Sequence, residues 1–159
     1  MKKIFILVLL VCLSLSCDEQ DYQVVPLMDV RMTLDLAYQD ADLNAVFAYK
    51  TFTQRRAEND RIGYGGLLII HGVGAEAINL YAFDLTCPVE IAQGDDEETG
   101  KTSELVRVVP NDEGEARCPK CGTVYNISGG IGNPNSGSKI GLRRYRVTPR
   151  GDRRYYVSN

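Results

Sequence analysis

The sequence predicts an all-β, antiparallel domain, and three observations carry that reading. The stretch DVRMTLDL alternates, with Val30, Met32, Leu34 and Leu36 on one side and Arg31, Thr33 and Asp35 on the other, as in a half-buried strand. Short apolar runs then follow one another, separated by glycine, proline, asparagine and aspartate turn signals. No long segment has the apolar periodicity of an amphipathic helix.

Taken in order, the elements support this class. After the first strand, DADLNAVFAYKTFTQRRAEND fits either an opening turn with a short helix or another strand, ending in a polar loop. GGLLIIHG and INLYAFDL read as two strands joined by the turn GVGAEA, hence a hairpin. TCPVE ends that hairpin, and a polar excursion through GDDEETGKTS follows. ELVRVVPNDEGEARC reads as a strand, a turn at Asn111–Gly114 and a short approach to Cys118; TVYNIS reads as a brief strand. GGIGNPNSGSKIG reads as a glycine-rich structural loop. It lacks Gly-Lys-Ser/Thr and leads into a strand rather than a helix, so it is not a phosphate cradle. LRRYRV and RRYYVS, joined by TPRGD, read as a last hairpin.

The N-terminal segment calls for separate treatment. Lys2 and Lys3 precede an apolar run from Ile4 to Leu15 that is short for a membrane span but suits a secretory signal. Ser16 then Cys17, followed by DEQD, resembles a bacterial lipoprotein signal, in which the cysteine becomes a lipidated N-terminus; Ser14 stands where that pattern usually has leucine. The expected organisation is a signal over 1–16, a lipidated tether over 17–26 and one β domain over 27–159. That organisation implies a cell-envelope protein, membrane-anchored by its N-terminal lipid, with the domain outside the cytoplasm.

A formal net charge of -3 argues against a general nucleic-acid binder. Charge is uneven, with DDEE at 95–98 and a basic tail of Lys139, Arg143, Arg144, Arg146, Arg150, Arg153 and Arg154. Solvated strand faces account for that tail more simply than a docking surface for an anionic partner. A single histidine supports no Ser/His/Asp constellation.

Setting aside Cys12 and Cys17 leaves Cys87, Cys118 and Cys121, an odd number that cannot all pair internally. CPKCG resembles half of a zinc ribbon, with two thiolates facing one ion across a tight turn, but the second pair of such a ribbon is missing. His71 is not the extra ligand. Along the hairpin it stands about eight residues from Cys87, on the order of 25 Å at the usual strand rise.

The phrasing "FDLTCP", then "CPKCGTVYN", then a glycine/proline loop leading into LRRYRV, resembles the Rieske [2Fe–2S] family over roughly residues 60–158. The resemblance implies a Rieske-like antiparallel β-sandwich with two cysteine-bearing loops and a Gly/Pro-rich covering loop. Cys87 and Cys118 match the cysteines of the family's two ligand loops, which hold the inner iron. Cys121 falls where the second loop carries histidine, and Val89 where the first loop does. Such a cluster takes four protein ligands, so the set is incomplete, although Glu90 lies next to the vacancy. Thiolate in place of imidazole would lower the potential of any cluster bound there.

Two classes of function therefore stay open. One is an envelope electron-transfer or metal-binding module, carrying a [2Fe–2S] cluster or zinc and serving a redox partner protein. The other is a cofactor-free binding module whose cysteines are free or disulfide-linked. A CxxC oxidoreductase is disfavoured, because the pair lacks the βαβ setting that lowers thiol pKa in that class. In either case the chain reads as a binding or electron-transfer module rather than a catalyst on its own.

Overall fold

A computed structural model describes residues 24–75, 79–94, 105–135 and 138–159. The signal, Cys17, most of the tether and the DDEE stretch lie outside the described residues. Strands β1 (Val30–Asp35), β2 (Tyr49–Phe52), β3 (Arg61–Ile62), β4 (Leu67–His71) and β5 (Leu80–Asp84) are followed by a short helix α1 (Pro88–Ala92). Then come β6 (Val109–Pro110), β7 (Glu115–Arg117), β8 (Val124–Asn126), β9 (Asn133–Pro134), β10 (Arg144–Pro149) and β11 (Arg154–Ser158). A seven-stranded sheet runs β2-β4-β5-β10-β11-β1-β3, and a four-stranded sheet runs β6-β7-β8-β9. Every pairing within them is antiparallel, so the fold is the all-β one that the sequence predicts.

Strand β4 explains how the two sheets stack. All five of its residues are buried, which is why LLIIH shows no polar alternation. Leu67 and Ile69 enter one core with Met32, Leu34, Leu36, Ala82, Tyr145 and Val157. Leu68 and Ile70 point the other way, into a second core with Phe83 and Leu85 of β5 and its end and with Val108, Tyr125 and Ile127 of the smaller sheet and its approaches. Full burial of each such side chain stabilises the fold by about 2 kcal/mol. The second core also contains Cys87 and Cys118.

Two buried carboxylates fasten the large sheet. Asp84, at the end of β5, accepts hydrogen bonds from the backbone N–H groups of Tyr64 (2.8 Å), Gly65 (3.0 Å) and Thr86 (2.8 Å) and from the Tyr145 hydroxyl (2.7 Å). Burial, then the adjacent Asp84 carboxylate, pushes the Tyr145 phenol up in pKa. Asp40 accepts from the Asp35 N–H and pairs with Lys50 and Arg56. Burial opposes its ionisation most strongly, yet those three partners together hold its carboxyl below the ordinary 3.8.

Several sequence expectations are refined. The ambiguous segment after β1 contains both alternatives, a 3-10 helix at Ala41–Asn44 and strand β2. TCPVE, expected as a loop, enters helix α1. Cys87 takes an extended N-cap conformation (φ -69°, ψ 113°), and Pro88 supplies the fixed φ of a first helical position. The glycine-rich loop contributes strand β9, which pairs with β8. The final hairpin lies in the middle of the large sheet, joining β5 to β1.

Candidate metal centre

Backbone hydrogen bonds place Cys87 and Cys118. Beyond β5 the chain keeps pairing with the approach to β6: Cys87 donates to the Val106 carbonyl (2.8 Å), and Val108 donates to that of Leu85 (2.8 Å). Cys87 is therefore fixed just before α1 turns the chain away. The second loop joins β7 to β8. There Cys118 donates to the Thr123 carbonyl (2.9 Å), and Gly122 donates to the Cys118 carbonyl (3.0 Å). Gly122 has φ +73°, so the turn calls for a residue without a Cβ.

The two loops meet. The sulfurs of Cys87, Cys118 and Cys121 all lie within 4.8 Å of one another, and Cys87 Sγ stands 3.7 Å from Cys121 Sγ. Cys87 and Cys118 are fully buried, whereas Cys121 is exposed and opens the group to solvent. All three are free thiols.

Their surroundings split the thiols electrostatically. Burial pushes the Cys87 thiol up to about 12, although a hydrogen bond with the Tyr125 hydroxyl (3.3 Å) works the other way. At Cys121, burial also opposes ionisation. Hydrogen bonds from the Thr123 hydroxyl (3.1 Å) and N–H, with the two neighbouring thiols, outweigh it and hold this thiol below the ordinary value of 9.0. The Tyr125 phenol is pushed well above its usual range by burial and then by Cys87. Tyr125 and Thr123 were not singled out from sequence, yet the period of two was there to see. Thr123, Tyr125 and Ile127 alternate along β8 and its flanks, and both Tyr125 and Ile127 are fully buried.

Three thiolates can hold a metal ion. A tetrahedral ion with metal–sulfur bonds of about 2.3 Å spaces its sulfur ligands about 3.8 Å apart, close to the Cys87–Cys121 separation. The four-ligand set of a Rieske cluster is not completed by these residues. Val89 is half-buried hydrocarbon packed against the core that contains Cys87 and Cys118. Glu90, next along, is buried, and its carboxylate is paired with Lys120 at 2.9 Å, a residue between Cys118 and Cys121. The ion pair ties helix α1 to the second cysteine loop.

The remaining sequence candidates lie elsewhere. His71 is a buried structural residue with its Nδ1 2.9 Å from the Leu43 carbonyl oxygen. Gly130, in the glycine-rich loop, has φ +75°, and a Cβ there would come within 2.5 Å of the Tyr81 ring. That loop thus lies against the face of β5. In the basic tail, the Arg144 and Arg150 guanidinium groups sit over the rings of Tyr81 (5.5 Å) and Tyr156 (5.0 Å), and Arg154 pairs with Asp152. Among the described residues, no helix is long and apolar enough to cross a membrane.

No family model matches this chain. No curated protein matches it either. Among solved structures, it is similar to the ferredoxin of carbazole 1,9a-dioxygenase from Nocardioides aromaticivorans IC177, with 15% identity, a TM-score of 0.43 and coverage of 82% of this chain and 96% of that one. It is also similar to a chain from the complex of reduced oxygenase and oxidized ferredoxin in carbazole 1,9a-dioxygenase, with 15% identity, a TM-score of 0.39 and coverage of 71% and 82%.

Proposed function

We propose that this chain is a bacterial envelope lipoprotein whose β domain binds metal through Cys87, Cys118 and Cys121 and transfers electrons to a redox partner protein. The observation that carries the reading is the convergence of three thiols, from two loops distant in sequence, to within 4.8 Å. Soft thiolate donors select iron, iron–sulfur clusters or zinc. Bound iron would supply one-electron chemistry; zinc would make the centre structural. This chain's residues hold the ligand loops together through Glu90–Lys120, bury two of the sulfurs and expose the third, the side from which a partner would approach. Cys17 carries the lipid and residues 17–26 form the tether, which sets the domain on the membrane outside the cytoplasm.

The test is metal analysis of the full chain, purified in detergent without oxygen, alongside Cys118→Ser. Metal bound to the parent and absent from the variant is expected. Equal metal in both rules the site out.

A second reading rests on the 3.7 Å contact between the Cys87 and Cys121 sulfurs. In an oxidising envelope these two could join as a disulfide in a cofactor-free scaffold. A metal-free protein with only Cys118 titratable among these three thiols would favour it.

A further inference from the structure

We infer that this centre holds a single metal ion on three thiolates, with the fourth coordination position open to a small exogenous donor such as water or imidazole. The inference rests on the metal-binding reading above and narrows it.

The sulfur positions argue for one ion. If the Rieske assignment were followed, Cys87 would bind one iron and Cys121 the other. Ligands of different irons must be held apart by the second iron and the bridging sulfides. Yet Cys87 Sγ and Cys121 Sγ are 3.7 Å apart, which is the spacing of two ligands sharing one tetrahedral ion, about 3.8 Å. Cys118 Sγ lies within 4.8 Å of both, so a single centre is within reach of all three.

The fourth position is open for a separate reason. Val89 offers only hydrocarbon. Glu90 is already committed, its buried carboxylate 2.9 Å from Lys120 Nζ, and withdrawing it would break the pair that ties helix α1 to the second cysteine loop. His71 is engaged with Leu43. The group faces solvent on the Cys121 side, so an external donor can enter there. Three protein ligands plus an exchangeable one is the arrangement of open metal sites, as distinct from the closed four-ligand sites of structural zinc.

The test uses the full chain in detergent under argon, loaded in parallel with cobalt(II) and with ferrous iron plus sulfide. Cobalt should bind at one equivalent per chain with thiolate charge-transfer absorption, and imidazole should shift its ligand-field bands saturably. Iron should be retained at one equivalent without acid-labile sulfide. Two irons and two sulfides retained per chain would overturn the single-ion assignment while leaving the metal-binding reading intact. An imidazole-insensitive cobalt spectrum would overturn the open position. A folded chain that takes neither metal would refute the metal-binding reading itself. Glu90→Gln should leave stoichiometry and the imidazole shift unchanged. In that variant, a changed cobalt spectrum before imidazole is added, or an imidazole shift that the parent lacks, would make Glu90 a ligand and close the fourth position.

Discussion

The two sheets of this molecule are held by different means. In the large sheet, strands of up to six residues pair along long ladders: five pairs join β1 to β11, and five join β4 to β5. Its charged anchors, Asp84 and Asp40, have several partners each. In the small sheet, strands are two or three residues long, and β6 and β9 each pair over only two positions. So few ladder bonds cannot overcome the entropy of ordering the intervening loops. The small sheet is held instead by the core it shares with β4 and β5, and by whatever joins its sulfurs to Cys87. The long ladders lie in one sheet, and two of the three cysteines lie in a loop of the other.

Breaking the proposed metal centre gives the largest effect. Cys118→Ser should abolish metal binding altogether, since two remaining thiolates cannot enclose an ion. In amide hydrogen exchange, the metal-loaded parent should protect residues 115–126 more than the variant does. Protection across β1, β4 and β11 should be the same in both. A uniform loss of protection across both sheets would mean that the two regions do not differ in the way the ladders suggest.

Ile69→Ala attacks the opposite region. Ile69 is fully buried in the first core, which contains no cysteine. The truncation should cost about 3 kcal/mol, from lost transfer energy and the cavity left behind, measured as a shift in denaturant midpoint. Metal stoichiometry of the folded fraction should stay that of the parent.

Asp40→Asn should cost less, about 2 kcal/mol at neutral pH, because Lys50 and Arg56 are partly exposed and can turn to solvent once their partner is neutral. The pH dependence has a definite sign. The Asp40 carboxyl lies below its ordinary 3.8 in the fold, so its contribution is complete above that value and is lost as pH falls through the lower folded one. Parent and variant stabilities should therefore converge in strong acid. A gap that stayed constant with pH would show that the charge at Asp40 contributes nothing.

The same contrast governs what could be read from sequence. Alternation made β1 legible, and turn chemistry gave the β4–β5 and β10–β11 hairpins, because all three depend on local periodicity. The place of β10 and β11 in the middle of the sheet was not legible, since pairing with β5 and β1 is decided by long-range burial. Helix α1 was hidden in TCPVE because one turn is too short to show a period, although Cys-Pro at its start was a usable signal. At the candidate site the three cysteines were legible as a group. Their spacing was not, and neither were the partners around them: Tyr125 reads as core by its burial, and Glu90 as a solvated acid until Lys120 is seen beside it.

Tyr125→Phe is the gentlest way to separate packing from chemistry in the small sheet. The ring is fully buried, so Phe keeps its volume and its place in the second core, and thermal stability of the metal-free protein should change little. What disappears is the hydroxyl 3.3 Å from Cys87 Sγ, a hydrogen bond that favours the thiolate against the burial that pushes this thiol up to about 12. Metal can bind only as Cys87 gives up its proton, so affinity falls as pH falls in the parent, and removing the hydroxyl makes ionisation harder still. The variant should bind cobalt about tenfold more weakly at neutral pH, in the range of second-shell changes at metal sites. Its deficit should shrink as pH rises toward the thiol's own titration. Equal affinity in parent and variant at every pH would mean that Tyr125 serves the core alone, and that the chemistry of the site is confined to its three sulfurs.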